Sequence, residues 1–105
     1  EFRRIRTEII PRRAKALKPL EKRMAEMEKL IAEEESASAA EHEALVEASQ
    51  AGDGGLIASL SKSAHDRAER IDALYEELDG FTRRYEDLST QFDVELAALG
   101  GEGAA

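Results

Sequence analysis

The side chains that could do chemistry in this 105-residue chain are few. His42 and His65 are its two histidines. Carboxylates run together at Glu33-Glu34-Glu35 and Glu76-Glu77, hydroxyls gather at Ser36, Ser38, Ser59, Ser61 and Ser63, and glycines cluster at Gly52-Asp53-Gly54-Gly55. A metal needs a third ligand held at a fixed spacing, and neither histidine has one. Paired carboxylates need a pocket that separates their pKa values, and these lie on the convex surface of charged helices. The serines have no oriented base. The glycine cluster has no strand before it and no Lys-Ser/Thr after it, so it lacks the phosphate-cradling pattern. With no cysteine, disulfides, thiolate metal sites and thiol nucleophiles are absent. The expectation is a chain with no catalytic, cofactor-binding or metal-binding residues of its own, and no enzyme.

The cations are more informative. Residues 1–29 carry ten Lys/Arg against five acids, and the remaining residues carry five against eighteen. A charge of −8 thus conceals a basic start and an acidic remainder. Arg12, Arg13, Lys15, Lys18, Lys22 and Arg23 lie in the basic stretch, and a fold-back brings Arg83 and Arg84 towards them. Like charges gathered at one end favour a polyanion, and each neutralised phosphate adds a salt-dependent increment through counterion release. Nothing in the sequence reads bases. The other reading is internal: these cations pair with Glu21, Glu26, Glu77 and Glu86, or solvate a helix.

The elements that must position these groups follow from apolar spacing. Ile57, Leu60, Ala64, Arg67, Ile71, Leu74, Leu78, Phe81, Tyr85, Leu88 and Phe92 alternate intervals of three and four, the seam of a long packed helix. Leu17, Leu20, Met24, Met27, Ile31, Glu34, Ser38, Glu41, Leu45 and Ala48 repeat the spacing, with a polar middle. Folding at Asp53 matches the two seams when paired residue numbers sum to about 105, the register that heptad spacing dictates. Arg67 then faces Ser38, with Glu34 and Glu41 one layer to each side. The same rule offers Leu17, Arg13 and Ile9 to Leu88, Phe92 and Leu96. The expected fold is all-α: an antiparallel two-helix coiled-coil hairpin with a glycine-rich tip. Helix 1 spans residues 3–50, with a kink near Pro11 and Pro19. The tip is 51–55, helix 2 is 56–98, and 99–105 is a disordered tail. The short aromatic complement, 5% of residues, suits a narrow seam rather than a thick core.

Pro19-Leu20-Glu21-Lys22 followed by alternating Glu and apolar residues, Leu60-Ser61-Lys62, and Ile71-Asp72-Ala73-Leu74-Tyr75-Glu76-Glu77-Leu78 resemble the C-terminal region of bacterial ATP-binding cassette proteins of subfamily F (ABC-F). The likeness covers residues 3 to 96. It implies a cytoplasmic parent ATPase whose ATP and Mg belong to cassettes outside this stretch. It also implies a module that touches rRNA, the ribosome or DNA backbone, or packs on its own cassettes. The chain opens on Glu-Phe-Arg-Arg and reads as a piece of a longer protein. No apolar run approaches a membrane span, and the charged outer faces imply a monomer. The alternative function is a structural spacer or self-association module without nucleic-acid contact.

Overall fold

A computed structural model describes residues 2–104 of the chain, with side chains described for 3–99. Every element is helical: α1 (Phe2–Arg4), a π-helical segment (Ile5–Ile9), α2 (Ile10–Ala51) and α3 (Gly54–Ala104). This is the expected helical hairpin. Helix α3 runs further than expected at both ends, and its backbone is helical over most of the stretch expected as a tail; Ala105 lies outside the described residues.

The tip is tighter than the five residues predicted. Gly52 adopts φ 69°, the left-handed conformation that ends a helix without a Cβ clash. Its N–H donates to Ser49 O at 3.2 Å and the Asp53 N–H donates to Ala48 O at 3.1 Å, the paired bonds of a Schellman ending. Asp53 then starts the next helix. The Leu56 N–H donates to its Oδ1 at 3.1 Å, and the Ile57 N–H donates to its carbonyl at 2.9 Å, so one residue serves as the last of the stop and the N-cap of the start. Gly52→Ala is therefore expected to lower stability by about 1–2 kcal/mol through left-handed strain. Gly80 lies inside α3, and a Cβ there would meet nothing within 4 Å. Gly80→Ala is expected to raise stability by about 0.5–1 kcal/mol. Urea unfolding of the two variants checks both signs.

The departure from α-geometry falls beside the first proline. Pro11 has no N–H to offer, and its ring crowds the carbonyl four residues back. The chain answers with a π-turn, in which the Ile10 N–H donates to Ile5 O. A wider turn makes room for the ring. The Thr7 hydroxyl donates to Arg3 O at 2.7 Å in the same stretch. Pro19 sits inside α2 without ending it. Both Pro19 and Lys15 are exposed, so the carbonyl that Pro19 leaves without a donor lies on the wet side of the helix.

The hairpin divides into two compact units. The turn unit is Glu26–Leu78, and the terminal unit joins Glu1–Ala25 to Asp79–Ala105. In the turn unit Met27, Ile31 and Ala48 are buried. Its polar layer is assembled as expected: Arg67 Nη1 lies 2.8 Å from Glu34 Oε2 and Nε lies 3.4 Å from Glu41 Oε1. Ser63 donates a further bond to Glu41. Arg70 Nη2 adds a contact to Glu34 at 3.6 Å. No described buried side-chain N or O lacks a partner.

In the terminal unit Leu17 and Leu20 are buried, and Ile9, Phe92 and Leu99 form a cluster against which Ile5, Ala16 and Leu96 pack. Ile9 and Leu96 thus meet in one cluster, as the numbering rule requires. The rule's pairing of Arg13 with Phe92 does not hold. Arg13 reaches Ser89 and Asp93, and Arg12 takes the place over the Phe92 ring, 5.6 Å from its centroid. The physical reason is reach: α2 is unbroken from Ile10 to the tip, and a long arginine side chain can leave the seam for polar partners at its edge while its neighbour's stem covers the ring.

Candidate nucleic-acid interface

All eight cations named from the sequence fall in the terminal unit, which carries eleven Lys/Arg against nine acids; the turn unit carries four against fourteen. The structure sorts the eight into three groups. Arg12, Arg13 and Arg83 are engaged with acids. Arg12 Nη2 bonds Glu95 Oε1. Arg13 spans Asp93 at 3.1 Å and the Ser89 hydroxyl at 2.9 Å. Arg83 pairs with Asp79 at 2.8 Å, one turn back on its own helix.

Arg23 and Arg84 form the second group. Their guanidiniums lie 5.3 Å and 5.9 Å from the centroid of one ring, Phe81. Both guanidiniums thus gather at one ring, whose π-electrons attract each of them. Phe81 is thereby occupied by guanidiniums rather than offered for base stacking. Tyr85 is half-buried and donates to Glu21 Oε1 at 3.2 Å.

Lys15, Lys18 and Lys22 form the third group. All three are exposed and make no ion pair or hydrogen bond among the described residues. Their spacing of three and four puts them on one face of α2, over about 10 Å at 1.5 Å per residue. Lys18 also borders a shallow groove with Ile10, Arg13, Leu17, Glu21 and Tyr85. Heptad position sets Lys22 and Arg83 on the outward faces of their own helices. The patch is thus a lysine row on α2 and a guanidinium pair at Phe81, not one continuous face.

The sequence reading missed the acids that engage the arginines. Glu95 and Asp93 stand close to, but not at, the positions the numbering rule assigns to Arg12 and Arg13, whereas Asp79 stands one helical turn from Arg83, a signal that was available. Of the groups considered first, His65 pairs with Glu69 at 3.2 Å on the exposed face of α3, and His42 is exposed. No three described His, Cys, Asp or Glu side chains lie close enough to hold a metal ion. Tyr75 donates to Glu35, and that bond to a carboxylate raises its pKa above 10.0.

Among the described residues no helix is long and apolar enough to cross a membrane. No protein-family model matches the chain, and neither a curated protein nor a solved structure is detectably similar to it.

Proposed function

We propose that this chain is a nucleic-acid- or ribosome-binding accessory hairpin of a cytoplasmic ATPase of the ABC-F type, gripping phosphate backbone through its lysine row. The observation that carries the reading is the contrast between neighbours. Arg12, Arg13 and Arg83 are engaged with acids, while Lys15, Lys18 and Lys22 stand exposed on one face and make no ion pair among the described residues. Lysines that the fold does not use are free to release counterions on meeting phosphates. The ABC-F assignment rests on the resemblance of residues 3 to 96 alone.

The test is a salt series with structured RNA and duplex DNA on the whole chain. Three lysines give a slope of log affinity against log salt of about −2.7 on duplex DNA, or about a 40-fold loss between 50 and 200 mM salt. Replacing all three by Glu is expected to abolish the slope. Arg12→Gln with Arg83→Gln is expected to leave it within about one unit, because those cations are already engaged. A second reading, a spacer without nucleic-acid contact, is favoured by the arginines' internal pairing. It prevails if the wild-type chain shows no salt-dependent binding, or if the lysine reversal leaves binding unchanged.

A further inference from the structure

The turn unit carries an apolar dimple that the phosphate reading does not use. Leu30 is 41% exposed on α2. Across from it on α3 lie Ala73 and Leu74, with Glu77 and Arg70 on the rim. On its own helix Glu26 and Glu33 stand one turn to either side, with Lys29 beside them. Arg70 is turned towards Glu34 at 3.6 Å. Glu33 and Glu77 make no ion pair or hydrogen bond among the described residues. The floor is therefore apolar, and two rim carboxylates, Glu33 and Glu77, have no cation paired with them among the described residues, in a unit with fourteen acids against four cations.

We propose that this dimple docks a cationic amphipathic helix of a partner protein. The charges select the partner's sign, because the Glu33 and Glu77 carboxylates and the acidic excess of the unit repel anions and steer a basic segment inward. The floor selects its shape. Leu30 and Leu74 gain from an apolar side chain set one or two turns from the next, and flanking Lys or Arg stems can lie along the same surface with their heads at Glu33 and Glu77. A second copy of this chain fits less well, since a self-complementary contact would set Glu33 and Glu77 against their own equivalents. A metal ion fits less well too, because the carboxylates surround the floor and do not converge on a point.

Two labelled peptides of leucine and lysine test the inference on the whole chain by fluorescence anisotropy. One places its leucines on a single helical face. The other has the same composition in scrambled order. The amphipathic peptide is expected to bind at least about tenfold more tightly than the scrambled one, the advantage of one well-buried leucine. Leu30→Gln and, separately, Ala73→Gln should remove that advantage while circular dichroism stays unchanged. Glu33→Gln with Glu77→Gln should weaken the amphipathic peptide and flatten its salt dependence. Equal binding of the two peptides, or indifference to Leu30→Gln and Ala73→Gln, would reduce the site to unspecific charge attraction and overturn the proposal. So would a dimer in sedimentation that Leu30→Gln dissociates, since a second copy would then be the occupant. Neither peptide involves the lysine row, so failure here leaves the phosphate reading standing, and failure there leaves this one.

Discussion

Glu41→Ala is expected to lower the unfolding free energy by about 2 kcal/mol, and the reason lies in what Arg67 would lose. The Arg67 side chain is 19% exposed and that of Glu41 9%. Taking Glu41 away strands the Arg67 Nε and the Ser63 hydroxyl, both of which it accepts from. A charge-assisted bond at a partly dry site contributes about 1.5–3 kcal/mol, and residual access to water keeps the cost towards the lower end. Glu34 stays on the guanidinium at 2.8 Å and prevents complete loss of charge compensation. In a chain of this size the midpoint of thermal unfolding should fall by about 10 °C.

The paired replacement separates polar satisfaction from packing. Arg67→Leu with Glu41→Leu removes both charges, and Glu34 keeps Arg70 within 3.6 Å. The double variant is expected within about 1 kcal/mol of wild type, or above it, because an apolar layer removes the desolvation cost along with the attraction. The double-mutant cycle should then give a coupling of at least about 1.5 kcal/mol. A Glu41→Ala protein whose urea midpoint matches wild type at unchanged slope would mean that water already satisfies Arg67.

The same layer shows what the sequence made legible. Arg67 breaks an apolar heptad, and its partners could be named because a polar seam residue must find acids at the matching level. Hydrophobic period and charge compensation pointed to one register, and two independent constraints are hard to satisfy by accident. The tip was legible for a similar reason: only glycine enters the left-handed region freely, and Asp53 is a natural cap. The π-turn was not legible in detail. Pro11 announces trouble, but a proline can end, kink or widen a helix, and which occurs depends on how the next turn packs. Nor was the exchange legible by which Arg12 covers the Phe92 ring while Arg13 reaches Ser89 and Asp93. The cation patch was legible as composition but not as geometry. Eight cations on two helices became three different environments, because a long side chain chooses its partner from several within reach. Seam residues have less choice: Ile9 and Leu96 meet in one cluster as the register requires, and Arg67 finds Glu34 and Glu41.

Phe92→Ala should be the most damaging single truncation in the terminal unit, at about 3 kcal/mol. Phe92 is 9% exposed and touches the cluster built on Ile9, at 1%, and Leu99, at 8%. A two-helix seam has no third layer to close over a void, so the ring's neighbours lose their contacts to water as well as to each other. The Arg12 guanidinium, 5.6 Å from the ring centroid, loses its aromatic face too, which adds about 0.5–1 kcal/mol at an exposed site. Val94 supplies the comparison. It stands two residues away at 65% exposure, and Val94→Ala should stay within about 0.5 kcal/mol of wild type. Phe92→Leu should recover most of the loss, because it restores apolar volume without the ring. Urea unfolding ranks the three, and native-state hydrogen exchange locates the damage. In Phe92→Ala, amides of residues 5–25 and 79–99 should exchange faster, since they share the truncated cluster's unit. Equal stability of Phe92→Ala and Val94→Ala would mean that Ile9, Phe92 and Leu99 do not pack together in solution. The winding imposed by Pro11 would then have no apolar cluster to direct.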